Sequence, residues 1–182
     1  MAIPNADGHQ DKGTKGANWA HWNSDLMAGK RGENAWAMHM TTRGYKVCES
    51  TLEQNKMGID MFAINPDGGV TSFDTKNDRV AHRTGNLGFE DRMDYHDGRT
   101  REGWAHKANC DFFVILEKVG YNQFVYHLFK AEELVRKMDG LREAYRSLST
   151  KRDPNKLTWN IIVPKADLAL LFDSYSTGEV DQ

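Results

Sequence analysis

An α/β fold, one mixed β-sheet flanked by helices, is predicted by three observations on this 182-residue sequence. A helix-start signal and a helix-ending glycine bracket residues 26–42. A second stretch, 131–148, carries apolar residues at helical spacing. Short strand-like runs separated by turn residues lie between and after them. Helices alternating with strands point to layers around one sheet.

Taken in order, residues 1–20 hold many Gly, Asn, Lys and Asp and few apolar positions, and read as a loose arm. Asn23-Ser24-Asp25 offers N-caps for a helix from about Leu26 to Thr42, closed by Gly44. Tyr45 to Glu49 reads as a short strand, and Gly58 to Ile64 as a partly buried one. Asn65-Pro66-Asp67-Gly68-Gly69 is a strong turn, with Val70 to Lys76 returning from it. Arg79 to Asn109 shows little periodicity and reads as a long functional or mobile loop. Asp111 to Leu116 and Gln123 to Phe129 are strands around a turn at Gly120 to Asn122. Leu134, Met138, Leu141, Tyr145 and Leu148 share one face of the second helix. Leu157 to Val163 is the last expected strand, and Ala166 to Phe172 a short helix after Pro164. Asp173 to Gln182 carries three acids and no base, and reads as a solvated acidic tail. One domain is expected over residues 1–182, with the arm and the tail at its ends.

Composition narrows the function. With 39% hydrophobic residues the chain can bury a core without staples, and its 2 Cys exclude a disulfide scaffold. No apolar run is long enough for a membrane span, and Met1 to Gly16 holds no signal-type hydrophobic stretch, so a cytoplasmic location is expected. Net charge is −2, which argues against a general electrostatic DNA binder but not against a local basic patch. No Gly-x-Ser-x-Gly, P-loop, Cys-x-x-Cys or His-Glu-x-x-His spacing supports a serine hydrolase, an NTPase or a zinc enzyme.

The chemistry concentrates in Gly58-Ile59-Asp60 and Ser72-Phe73-Asp74-Thr75-Lys76. With a loop of Asn65 to Gly69, Ile64 pairs with Val70, and Asp60 falls opposite Asp74. A three-residue loop centred on Gly68 would set Asp60 opposite Lys76 instead. Both registers put Asp60, Asp74 and Lys76 on one face, whereas a two-residue Asp67-Gly68 turn would part them. Facing carboxylates repel unless a cation lies between them, and oxygen ligands suit Mg²⁺ or Mn²⁺. Such a cation polarises a phosphodiester and acidifies a bound water, while a neighbouring Lys stabilises the developing charge.

These pieces resemble the PD-(D/E)XK, or restriction-endonuclease-like, nuclease superfamily. Asp60 and Asp74-Thr75-Lys76 match its strand motif, and Glu33 in Gly32-Glu33-Asn34-Ala35-Trp36 matches its upstream helical acid. The resemblance spans roughly residues 25–129, with Ile59 standing where the motif often has Pro. Thr84 to Glu90 and Ala108 to Phe113 look like phage and prophage members, in which an acid such as Glu90 follows the Asp-x-Lys strand. The resemblance implies a restriction-endonuclease-like core and a Mg²⁺-dependent DNA endonuclease, with Mn²⁺ as substitute. It implies Asp60, Asp74 and Glu33 on the metal, Lys76 at the attacking water and Glu90 as a possible additional acid. Duplex or branched DNA is the implied partner, a homodimer is expected because one site cuts one strand, and a phage-encoded chain would work in the host cytoplasm.

Each residue also has a plainer reading. Asp60 and Asp74 can be polar positions on a solvated strand face, Glu33 a first-turn helix acid and Glu90 a loop acid. Arg79, Arg83, Arg99, Arg101 and Lys107 crowd the expected loop, either as phosphate contacts or as a solvated surface. Residues 130–156 hold eight bases against five acids, a second candidate surface. The alternative function is a non-catalytic nucleic-acid-binding or phage accessory module that kept the nuclease fold.

Overall fold

The structure, a computed structural model, describes residues 15–153 and 155–180, and side chains for 26–150 and 155–180. Helix α1 spans Lys15–Thr42 and ends before Gly44, whose φ of 84° suits a residue without a Cβ. The helix therefore runs straight through Asn23-Ser24-Asp25. Cap residues start a helix only where the chain enters extended, and here the preceding turn is already helical. Of the expected arm, residues 15–20 are helix, and residues 1–14 lie outside the described residues.

Strand β1 (Lys46–Glu49) leads to α2 (Leu52–Lys56), which the strand reading passed over. Thr51 and Gln54 form a reciprocal capping box at its start. Strands β2 (Met61–Ile64) and β3 (Val70–Asp78) then form the expected hairpin, with Ile64 opposite Val70 and Met61 opposite Phe73. The five-residue loop thus sets the register, held by Asn65 accepting from the Gly69 N–H at 2.7 Å. Strands β6 (Phe112–Lys118) and β7 (Phe124–Lys130) follow as expected.

The segment expected to be a long loop is structured. It holds α3 (Ala81–Thr84), β4 (Asn86–Tyr95), β5 (Thr100–Glu102) and a 3-10 turn at Trp104–His106. Leu87 and Phe89 are fully buried, but Gly88 lies between them and Glu90 follows, so the run carries few apolar residues. Helix α4 (Ala131–Ala144) stops four residues short of the expected Leu148. Ser147 onward is drawn into β8 (Ser147–Asp153), which pairs with β9 (Lys156–Pro164). A 3-10 turn and α5 (Leu168–Leu171) come next. The acidic tail is no tail over its described length: β10 (Ser176–Glu179) pairs with β7, and Val180 is buried.

The mixed sheet has the order β1-β2-β3-β6-β7-β10, in which β3 and β6 run parallel. Parallel neighbours need a long crossover, and this crossover carries β4 and β5 of a second, antiparallel sheet, β5-β4-β9-β8. The fold class is the predicted one, but the expected single sheet is two. On one face of the mixed sheet Trp36 and Met40 of α1 pack on Phe73, Val114 and Leu116. On the other, Phe113, Ile115 and Phe129 meet Leu87, Phe89, Ile161 and Val163 of the second sheet, together with α4 and α5.

Glu133 of α4 pins the chain ahead of β10. Its buried carboxylate accepts from the Asp173 N–H at 2.8 Å, the Ser174 N–H at 3.0 Å and the Ser174 hydroxyl, with Lys137 at 3.4 Å. Burial alone would raise this carboxyl, but those donors bring it down to about 2. A depressed carboxyl stabilises the fold above its unfolded range, and that support fades as pH falls from about 4.5 to 2. Glu133→Gln should cost roughly 2 kcal/mol in denaturant titration near neutral pH and much less near pH 2.

Candidate active site

The site begins where the hairpin splits. Strand β2 starts at Met61, but β3 continues to Asp78, so the side of β3 facing β2 loses its ladder partner beyond Phe73. The Asp60 N–H still reaches the Phe73 carbonyl at 2.8 Å. Asp60 then takes over with its side chain: Oδ2 accepts from the Thr75 N–H at 2.7 Å and the Thr75 hydroxyl at 2.9 Å, and Oδ1 accepts from Asn55 of α2 at 3.0 Å. These bonds fix the Asp60 carboxylate beside β3. Gly58 lets the chain pass: its φ is 90°, and an added Cβ would lie 3.4 Å from the Asp74 Oδ2.

Asp74 is buried, at 3% exposure, with Oδ1 accepting from the Lys76 ammonium at 2.5 Å. Burial, reinforced by the Asp60 carboxylate, pushes the Asp74 carboxyl up to about 7, although Lys76 pulls it down. The Cys110 thiol is driven up to about 12 by burial and by the Asp74 charge, which disfavours its thiolate. Two residues along the strand, Lys76 lies with its Nζ 5.7 Å from the Trp104 ring centre.

Lys76 opens onto a groove of about 420 Å³ between the two sheets. Asp78, Arg79, Glu90 and Trp104 line it, as do Arg146, just ahead of β8, and Thr158 and Asn160 of β9. Glu90 is therefore a strand residue at the groove rather than a loop acid, and it accepts from the Trp104 N–H at 3.3 Å. The β4–β9 register shifts between Glu90 and Arg92, and this bulge buries Asp91 against Arg142 and His106. Trp104, Thr158 and Asn160 were not anticipated. Arg146 belongs to the basic stretch at 130–156, and distant strand pairing brings it to the groove.

The other expected residues are spread out. Glu33 lies on α1 and pairs with Lys30 at 3.3 Å, which also reaches Glu49 at 3.1 Å. Glu49 is opposite Met61, so Glu33 faces the Asp60 end of the sheet. Among the described residues no group of three or more His, Cys, Asp and Glu is arranged to hold a metal ion. Asp60 and Asp74 nevertheless supply two carboxylates, and Mg²⁺ commonly takes one or two with water completing its shell. Arg79 borders the groove and Arg83 is exposed on α3. Arg99 is paired with Asp97 at 2.6 Å and stacks with Arg101 about Tyr95, at the far end of β4. Lys107 is exposed after the 3-10 turn. Arg79 is thus the member of this group that lines the groove.

No protein-family model and no curated protein matches the chain. Among solved structures it is similar to a bacterial homing endonuclease, with 15% identity over 62% of this chain and 73% of that one, at a TM-score of 0.49. Among the described residues no helix is long and apolar enough to cross a membrane.

Proposed function

We propose that the chain is a metal-dependent DNA endonuclease of the PD-(D/E)XK type, of phage or prophage kind. The observation that carries this reading is the split hairpin, which sets a held carboxylate, Asp60, beside a buried one, Asp74, with Lys76 on the same strand at a groove. Two carboxylates so close leave negative charge that a divalent cation would neutralise. When bound there, Mg²⁺ or Mn²⁺ would polarise the scissile phosphodiester and acidify a water. Asp60 and Asp74 would be the residues that hold the ion. Lys76 exchanges its bond to Asp74 for the attacking water or the phosphate, and stabilises the charge that builds up there. Glu33 would complete the site directly or through a metal-bound water, Glu90, which holds the Trp104 N–H, would be an additional acid, and Arg79 would meet a neighbouring phosphate. A homodimer would bring two such sites to the two strands of a duplex.

The test is cleavage of supercoiled plasmid, linear duplex and branched DNA with Mg²⁺, Mn²⁺ or EDTA. Cutting should need the metal and fall on the order of 10³-fold in Lys76→Ala. Metal-independent binding with no cutting of any substrate would instead support the non-catalytic module.

A further inference from the structure

A second groove lies on the opposite face of the mixed sheet. It is larger, about 620 Å³, and runs between one side of α1 and the carboxyl ends of the parallel strands β3 and β6. Met27, Arg31, Asn34 and Met38 line it from α1, and Lys118, Tyr121 and Phe124 from β6, β7 and their turn. Its charge is one-sided. Among its described lining residues Arg31, Arg79 and Lys118 stand against a single acid, Asp78, whose oxygens accept from the Val80, Ala81 and Gly88 N–H groups. Arg31 and Lys118 are exposed and form no ion pair with a described residue. Tyr121 stands out from its turn at 87% exposure, an unusual setting for an aromatic ring. Asn77, Asp78 and Arg79 line both grooves, so the two meet around the end of β3.

Several cations and an exposed ring on one groove suit a ligand that carries both phosphates and flat bases. Carboxyl ends of parallel strands are also the usual place for ligands in open α/β sheets. We propose that this groove holds a single-stranded nucleic-acid segment leading away from the candidate active site. Arg31 and Lys118 meet its phosphates and Tyr121 stacks a base. The idea rests on the nuclease reading only in taking the site groove to hold nucleic acid.

The test is fluorescence anisotropy of labelled oligo-dT and oligo-U, about 12 nucleotides each, with the full chain in EDTA so that metal-dependent cutting cannot intervene. Arg31→Ala with Lys118→Ala should weaken binding at least about 10-fold and flatten the log–log salt slope by about 1.4. Tyr121→Ala should weaken it by about 5- to 150-fold, and Tyr121→Phe should restore it. All three positions are exposed, and unchanged melting temperatures would show that the variants fold. A preference between dT and U distinguishes DNA from RNA as the strand held. Unchanged affinity and salt slope in the double variant, or equal displacement by poly-glutamate, would overturn the proposal. If the wild type cuts nothing yet the variants lose binding, the nuclease reading fails and the groove stands. If it cuts and binding is indifferent to all three positions, the reverse holds.

Discussion

Asp74→Asn is expected to remove cleavage and at the same time make the fold more stable. The two effects have one cause. Asp74 is 3% exposed and lies beside Asp60, so its ionised form is poorly solvated and repelled. Its carboxyl is raised to about 7, so the native state holds this proton more tightly than the unfolded chain does. A raised carboxyl contributes stability below the unfolded value, near 3.8, and that contribution is lost as pH climbs through 7. The lost amount is on the order of 4 kcal/mol at most. Asn keeps the shape and can still accept from Lys76, but carries no charge. Its melting temperature should therefore match wild type near pH 4 and exceed it by several degrees near pH 8. Catalysis would move the other way: on the proposed reading plasmid cleavage should fall on the order of 10³-fold, because the charge proposed to hold the metal is gone. Mg²⁺ should raise the melting temperature of wild type and not of the variant. A stabilising substitution that removes activity marks a residue kept for chemistry. A variant that melts lower near pH 8 and still cuts would show that Asp74 is only a structural acid.

What could be read in advance, and what could not, follows from the range of the interactions. The Asp60–Lys76 hairpin was legible because its register depends on five adjacent residues, Asn65 to Gly69, and parity along a strand does the rest. The end of α1 at Gly44 was legible for the same local reason. Its start was not, because cap-type residues are silent about whether the chain before them is helical. The second sheet stayed hidden because β4 alternates Leu87 and Phe89 with a glycine and an acid, and a bulge at Asp91 breaks the pattern. Leu148 fits the apolar face of α4, but pairing of β8 with β9 outweighs local helical preference there. The nearness of Asp60, Asp74 and Lys76 to one another follows from neighbours in sequence. Thr158 and Asn160, which line the groove with Lys76, depend on β4–β9 pairing between residues some seventy positions apart, and Trp104 on its N–H bond back to Glu90 of β4. Glu33 was matched by motif, and its pairing with Lys30 depends on side-chain partners that a motif does not specify.

The largest loss of stability is expected from Glu117→Ala, away from the site. Glu117 of β6 is 2% exposed and holds three partners. Lys165 donates to its two oxygens at 2.7 and 2.9 Å, and the His127 Nε2 lies at 2.9 Å, with His82 farther off at 3.6 Å. His127, itself buried, passes its other nitrogen to the Tyr175 hydroxyl at 2.9 Å. The network thereby ties β6, β7, the turn before α5 and the chain before β10 into one unit. Burial would raise the Glu117 carboxyl, but Lys165 and His127 hold it below the usual range. Burial lowers the His127 imidazole more than Glu117 raises it. Both depressed groups give stability that is complete at higher pH. It declines as pH falls, first below about 6.5 through His127 and then below about 4.5 through Glu117. Removing the carboxylate leaves a half-buried ammonium and a buried imidazole without their acceptor, a loss of about 3–5 kcal/mol. The accompanying Lys165→Met should be individually destabilising yet should recover part of the Glu117→Ala loss when the two are combined, because the stranded cation is then gone. Urea denaturation of the two single variants and the double near pH 7.5 and pH 5 measures both the coupling and its decline. Additive losses at pH 7.5 would mean that the pair contributes nothing as a pair, and that Glu117 is held by packing alone.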